Sequence, residues 1–420
     1  MASQVMAPVS RTELSEAVPS IQDIARLEII PEVQSAIRWF ASYEPTISNW
    51  QMEVASVPAP PFGEAQRAAW LSERFRDLGL ADVHTDEVGN VFGIRRGLDA
   101  LPKFIAISAH MDTVFPPGTV LKPRREGNRL YGPGISDNGA GLSALLAVAA
   151  ALENSGVRHS ASLVFIGNVG EEGEGDLRGM RYIFSDPHWS ESIRATLVID
   201  GAGSDTIVAE ALGSRRFEVV VRGPGGHSWS DFGMPNPIVA LARAIEKFSQ
   251  IRIPQAPKTT FNIGVIRGGT SVNSIPETAS MRVDIRSTSG QEIDRLELAL
   301  RAALDQAVAS NPIPALRPTA GLTYEASIIG SRPAGELDSN ATILRVLRAV
   351  DSHLGNLSQV QRASTDANIP LSLGREAVAI GGGGSGGGAH TLQEWFDCTG
   401  RDLALKRILL TLLAMTGVSG

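Results

Sequence analysis

The sequence predicts an α/β protein: a mixed, mostly parallel sheet with flanking helices, carrying a smaller inserted α+β unit. Three observations predict this. Between residues 83 and 199 short apolar strands alternate with helical stretches, the pattern of a layered, largely parallel sheet. After about Gly213 the order becomes strand, helix, strand, strand, helix, strand. Beyond residue 331 helix, strand and helix resume, so the middle part reads as an insertion. The expected division is 1–213 and 331–420 for the two parts of the α/β domain, and 214–330 for the inserted domain.

Taken in order, residues 21–48 place Ile24, Leu27, Ile37 and Phe40 at helical spacing, with a break at Pro31. Pro58-Ala59-Pro60-Pro61 is a turn. Residues 64–78 form an amphipathic helix that stops at Gly79. Strands are expected over 83–87, 91–95 and 104–108, then an apolar helix over 141–152, then strands over 161–166 and 195–199. In the middle part, strands over 216–221, 261–266, 278–285 and 322–329, with helices over 236–249 and 290–310, match a split βαβ, ferredoxin-like unit. A helix over 341–354, a short strand over 378–380 and a helix over 402–415 close the chain. The first ten residues or so are expected to be loose.

With 420 residues, 43% of them hydrophobic, the chain can bury a large core and is expected to form two domains. A net charge of −7 argues against nucleic acid or an anionic membrane as the main partner. The single cysteine, Cys398, excludes an intrachain disulfide and fits a reducing cytoplasm. No apolar run reaches the length of a transmembrane helix, and residues 1–20 lack the apolar core of a secretion signal. A cytoplasmic location is the resulting expectation.

The chemistry-bearing residues are histidines and carboxylates of the kind that hold two divalent metals. His110 and Asp112 follow the apolar strand 104–108 and, two apart in extended chain, project together from its C-terminal end. His110 suits a zinc-type ion, and Asp112 suits the carboxylate that orients the imidazole. Asp137, in Tyr131-Gly132-Pro133-Gly134-Ile135-Ser136-Asp137, precedes a helix, so it reads either as that helix's N-cap or as a carboxylate that bridges two cations. Glu171 and Glu172 follow a strand and point to opposite sides; one can ligate metal while the other handles a proton. Asp200 ends the strand 195–199, and His390 follows the run Gly381 to Gly388, written GGGGSGGG. That run reads as a flexible linker or, since it divides nothing, as a loop whose backbone passes close to the site. As a phosphate loop it lacks the Gly-Lys-Ser/Thr ending. In the middle part His227 could donate to an oxyanion, and Arg286 could grip a substrate carboxylate.

Together these residues resemble the M20 family of metallopeptidases. The specific matches are Ser108-Ala109-His110-Met111-Asp112-Thr113-Val114, Tyr131-Gly132-Pro133-Gly134 leading to Asp137, and Glu171-Glu172. Gly225-Gly226-His227-Ser228 and Asn273-Ser274-Ile275-Pro276 extend them into the insert. The resemblance implies a zinc-peptidase-like catalytic domain in which His110 and Asp200 hold one zinc, Glu172 and His390 hold the other, and Asp137 bridges. It implies that Asp112 orients His110, that Glu171 is the general base, that the insert 214–330 is a lid and dimerisation domain, and that His227 reaches across a homodimer interface. Asn273 and Arg286 would be lid residues on the substrate. Zinc is the expected metal, with manganese or cobalt as alternatives. The implied substrate is a short peptide or an N-acyl amino acid. An aminoacylase-type hydrolase and a non-catalytic M20-like binding protein are the rival readings. Aspartate at 200 resembles the peptidase branches. Three departures bear on substrate preference, metal tuning and the register of His390: no lysine follows Asp137, Gly170 stands where an acid is common, and the run before His390 is unusually rich in glycine.

Overall fold

A computed structural model describes residues 19–99, 103–310 and 320–418, so the expectation for the first ten residues lies outside it. Its main sheet runs, edge to edge, through Ala81–Thr85, Val91–Arg95, Ser162–Asn168, Phe104–His110, Ile193–Ile199, Glu376–Ile380 and Thr206–Ala211. Gly335–Glu336 and Gln359–Ala363 pair with the last of these. The middle strands Ser162–Asn168, Phe104–His110, Ile193–Ile199 and Glu376–Ile380 are mutually parallel. All residues of Phe104–His110 are buried, as expected of a strand covered on both faces, and this is why the segment reads as an unbroken apolar run.

Helix Gly139–Ser155 packs on strands Phe104–His110 and Ile193–Ile199 and meets helices Pro31–Ser42, Glu44–Ser56 and Arg401–Thr416. It is apolar on every side because it lies inside this stack. Its N-cap is Asn138, whose Oδ1 accepts from the N–H of Gly141 at 3.0 Å, so the capping task does not fall on Asp137. The helical reading of residues 21–48 resolves into three helices, Ile21–Glu28, Pro31–Ser42 and Glu44–Ser56. The third begins at Glu44-Pro45, a favourable first turn, and outruns the expectation because buried Ser48 and Gln51 interrupt its apolar spacing.

A second sheet is antiparallel, in the order Thr259–Gly268, Thr278–Ser287, Gly213–Arg222, Thr323–Arg332. Along the chain this is the order two, three, one, four of the split βαβ unit. Helices Pro237–Ser249 and Gly290–Ala309 cover one face, where Phe217, Val219, Val221, Met281, Val283 and Ile285 are buried in a hydrophobic cluster distinct from that of the main sheet. Among the described residues no helix is long and apolar enough to cross a membrane.

Candidate metal centre

The C-terminal ends of the parallel strands lie along one edge of the main sheet, where open α/β sheets place their sites. His110 is the last residue of its strand, Asp200 directly follows Ile193–Ile199, and Glu171 and Glu172 follow Ser162–Asn168. The run Gly381 to Gly388 follows Glu376–Ile380 at the same edge. It is closely packed. A Cβ on Gly381 would lie 2.4 Å from the Ala202 carbonyl oxygen, and one on Gly386 would lie 2.5 Å from Ser136 Oγ. The run is therefore a packed loop in which most glycines leave no room for a Cβ, Ser385 being exposed, and its part Ser385–Gly387 pairs with Trp395–Asp397.

The Asp137 carboxylate lies between the two histidines. Its Oδ1 is 3.1 Å from His110 Nε2, and its Oδ2 is 3.0 Å from His390 Nε2. Each imidazole has a second carboxylate: Asp200 Oδ1 at 3.8 Å from His110 Nε2, and Glu172 Oε1 at 2.8 Å from His390 Nε2. Two clusters of donors result, His110–Asp137–Asp200 and Asp137–Glu172–His390, each with its donor atoms within 4.8 Å of one another. A third group, His110–Glu171–Glu172, also has one donor atom from each residue within 4.8 Å of the others.

Asp112 is fully buried. His110 Nδ1 lies 3.1 Å from the Asp112 backbone carbonyl and 3.6 Å from its Oδ1. The carboxylate itself accepts from the backbone N–H groups of Glu171 at 2.9 Å and Glu172 at 2.7 Å. It thus steadies the acidic pair as well as facing the imidazole.

The electrostatics favour cations. Asp112, Asp137, Glu171, Glu172, Asp200 and Asp366 crowd a largely buried volume in which the nearby positive groups are the two imidazoles, Arg332 and Arg67. Burial raises the pKa of Glu172, raises that of Glu171 well above the usual range despite Arg332, and raises that of Asp366 to about 7. For Asp137 burial acts in the same direction, but the contacts to His110 and His390 outweigh it and hold the group below the ordinary value. Its Oδ1 is buried without a hydrogen-bond partner, its near neighbour being His110 Nε2 at 3.1 Å. An acceptor left so costs free energy unless something else occupies it. A mixed set of imidazole and carboxylate donors around such an atom fits divalent zinc, manganese or cobalt.

The structure gathers His110, Asp112, Asp137, Glu171, Glu172, Asp200 and His390. Among the described residues, the hydrogen bonds and ion pairs of His227, Asn273 and Arg286 lie within the second sheet's unit. His227 and Asn273 are exposed neighbours there, joined by a hydrogen bond from the Ser228 N–H to the Asn273 carbonyl at 3.0 Å. Arg286 Nε donates to Asp284 Oδ2 at 2.7 Å, so its guanidinium sits in an ion pair.

Three further residues belong to the site. Arg332 ends strand Thr323–Arg332; its Nη1 donates to Glu171 Oε1 at 2.8 Å and to Ser364 Oγ at 3.1 Å, and its Nη2 donates to the Glu171 carbonyl. Asp366 Oδ2 accepts from Asn168 Nδ2 at 2.7 Å. Glu394 is fully buried and accepts from backbone N–H groups in the loop that carries Asp137; burial raises its pKa to about 7. A strand-ending arginine is the signal that singled out Arg286, and it would have found Arg332 had the last strand been read to its end. Asp366 and Glu394 carry no comparable mark in the sequence.

The sequence profile of peptidase family M20/M25/M40 matches residues 106–414. Carboxypeptidase G2 of Pseudomonas sp. (strain RS-16) is 24% identical over 241 residues, 55% of this chain; the chain spans only 57% of that relative's length. Among solved structures, a tripeptidase of Staphylococcus aureus superposes with a TM-score of 0.72 at 21% identity, covering 88% of this chain and 97% of that one. The Bacillus subtilis YXEP protein, described as a dinuclear metal-binding peptidase, superposes with a TM-score of 0.65 at 15% identity, covering 90% of this chain and 100% of that one.

Proposed function

The chain belongs to peptidase family M20/M25/M40, and from that premise we propose that it hydrolyses an amide bond in short peptides or N-substituted amino acids with water activated by two divalent cations. One observation carries this reading: a single carboxylate, Asp137, offers one oxygen to each of two imidazoles, and each imidazole has its own second carboxylate. His110 and Asp200 would hold one cation, His390 and Glu172 the other, and Asp137 both. Zinc suits the set, and manganese or cobalt would be accepted. Bound there, such ions polarise the scissile carbonyl and lower the pKa of a water.

Glu171 is left to handle protons. It takes one from the attacking water and delivers it to the amine nitrogen as the C–N bond breaks. Its burial favours a carboxyl able to carry that proton, while Arg332 on Oε1 keeps the anion accessible and fixes its orientation. Asp112 holds the Glu171–Glu172 turn and backs His110. The unit spanning 214–330 serves as the lid and dimerisation domain of a homodimer. His227 crosses from the partner protomer to donate to the oxyanion, and lid closure brings Asn273 and Arg286 onto the substrate and expels water. For Arg286 to grip a substrate carboxylate it must leave Asp284. A single cysteine is the ground for placing this activity in the cytoplasm.

The test is Glu171→Gln. The variant should bind the same two equivalents of zinc as the parent while losing activity by ~10³-fold or more, the scale expected when a general base is removed. Retained turnover would refute the assigned base. Dipeptides, tripeptides and N-acyl amino acids, presented with either terminus blocked, then separate aminopeptidase from carboxypeptidase and aminoacylase action.

A further inference from the structure

Glu394 is a buried carboxylate to which the mechanism gives no task. It is fully enclosed, and no ion pair at 4.0 Å or less is recorded for it among the described residues. Three backbone N–H groups of one loop converge on it instead. Gly134 donates to Oε2 at 2.6 Å, Ser136 donates to Oε1 at 2.8 Å, and Asp137 donates to Oε1 at 2.7 Å. The Glu394 carbonyl also accepts from the Gly132 N–H at 3.0 Å. Burying a carboxylate is costly unless its lone pairs are filled, so the site is organised to hold this one.

The loop so gathered is the one that ends in Asp137. Gly134 has φ +71°, a conformation that lets the loop fold its N–H groups toward one point. The stretch from His390 to Glu394 therefore grips Asp137 twice. His390 Nε2 meets the Asp137 side chain at 3.0 Å, and Glu394 Oε1 takes the Asp137 backbone N–H at 2.7 Å. Short turns fix the spacing of the two grips: the Thr391 N–H donates to the Gly388 carbonyl at 3.1 Å, and the Glu394 N–H donates to the Thr391 carbonyl at 3.3 Å. A carboxylate that must present one oxygen to each of two ions is sensitive to rotation of its own backbone, which the second grip prevents.

We infer that Glu394 is a positioning residue for the metal centre, setting the orientation of the bridging Asp137 through the backbone of its loop. It touches neither substrate nor reacting atoms. This rests on the two-cation reading above. Glu394→Gln keeps the size but replaces one acceptor oxygen by an NH₂ donor, which must face one of the three N–H groups. Partners that orient metal ligands typically change affinity about 10–100-fold when lost.

The experiment titrates metal-free protein with Co²⁺ alone, following heat and the visible d–d absorption. The parent should take up two ions. Glu394→Gln should bind them about 10–100-fold more weakly, with altered absorption bands. Glu394→Asp keeps the charge but is too short to reach all three donors, so its loss should be intermediate; it also serves if the glutamine variant does not fold. Ile408→Val, in the core, should lower the melting temperature and leave the cobalt spectrum and affinity unchanged. Parent-like affinity and spectrum in either Glu394 variant overturn the inference while leaving the metal centre standing. A parent that takes up no pair of ions overturns the two-cation reading and this inference with it.

Discussion

Both histidines of the cluster hold their protons more tightly than free imidazole does. For His390 the bond to Asp137 is the largest cause, and with Glu172 it raises the pKa to about 9. For His110 burial acts downward, but contacts with Asp112, Asp137 and Asp200 overcome it and raise the pKa well above the ordinary value. A raised pKa means the imidazolium form persists through neutral pH, and an imidazolium has no lone pair for a metal. Loading the metal-free protein near pH 7 must then expel protons, so apparent affinity should rise with pH through and above neutrality, the part due to His390 levelling off above about 9. Calorimetry in buffers of different ionisation enthalpy measures this directly, and a binding heat independent of buffer would exclude it. Most of these residues are legible in the sequence because they end or follow an apolar strand or precede a helix, places where a polar side chain after an apolar run invites explanation; His390 is marked instead by the glycine run before it. Asp366 and Glu394 have no such setting, and Arg332 shows only as an arginine that closes its strand. Their partners are backbone N–H groups or single side chains far along the chain, such as Glu171 at a separation of 161 residues from Arg332. In the sequence Asp137 fits either a cap or a bridge, because both tasks call for a carboxylate ahead of a helix; in the structure Asn138 does the capping.

At the scale of elements, the buried strands of the main sheet are legible in the sequence to within about two residues at each end. Val91–Arg95 falls on its expected bounds, and Phe104–His110 runs two residues past them to include the ligand. Being buried on both faces, the central strand imposes an apolar run that single-sequence reading detects. Thr206–Ala211 and Gln359–Ala363 escaped, the first because only alternate residues are buried, the second because it is an exposed edge. The glycine run is the element whose composition misleads most. Its glycines serve close approach, and Gly381 shows this best. A methyl there would lie 2.4 Å from the Ala202 carbonyl and 2.5 Å from that of Gly203, in the turn that follows Asp200. Overpacking of this kind typically costs about 1–3 kcal/mol. Gly381→Ala should therefore lower the melting temperature and, by moving Asp200 away from His110, weaken the binding of one cation more than the other. Metal analysis after dialysis at limiting zinc reads the difference; two equivalents held as in the parent would mean the loop tolerates the methyl and that the packing argument is wrong.

At the scale of the whole molecule, the two sheets meet where the chain leaves the second one. The Ser331 N–H donates to Asp176 Oδ1 at 2.8 Å, Arg181 donates to the Ser331 carbonyl, and Arg332 reaches Glu171. The end of strand Thr323–Arg332 is thus tied to the loop that follows the acidic pair, so under the proposed function a lid pivoting there would move next to the proposed base, Glu171. His227 and Asn273 lie elsewhere on the second unit, exposed, with their recorded bonds confined to it. Sequence patterns specify neither the closure of one unit on another nor the pairing of protomers, since both depend on surface complementarity. A hybrid dimer resolves the point. Glu171→Ala and His227→Ala protomers, co-expressed with different tags and purified through both, form dimers carrying one defect on each side. If His227 serves the partner's site, one of the two sites has both groups intact, and the hybrid should recover about half the parent activity, as closed two-fold symmetry requires. If His227 acts within its own protomer, each site lacks one group and the hybrid is as inactive as either variant alone. Recovery near half fixes the assembly and the direction of the histidine together; its absence, with the hybrid shown intact by mass, removes the crossing role from His227.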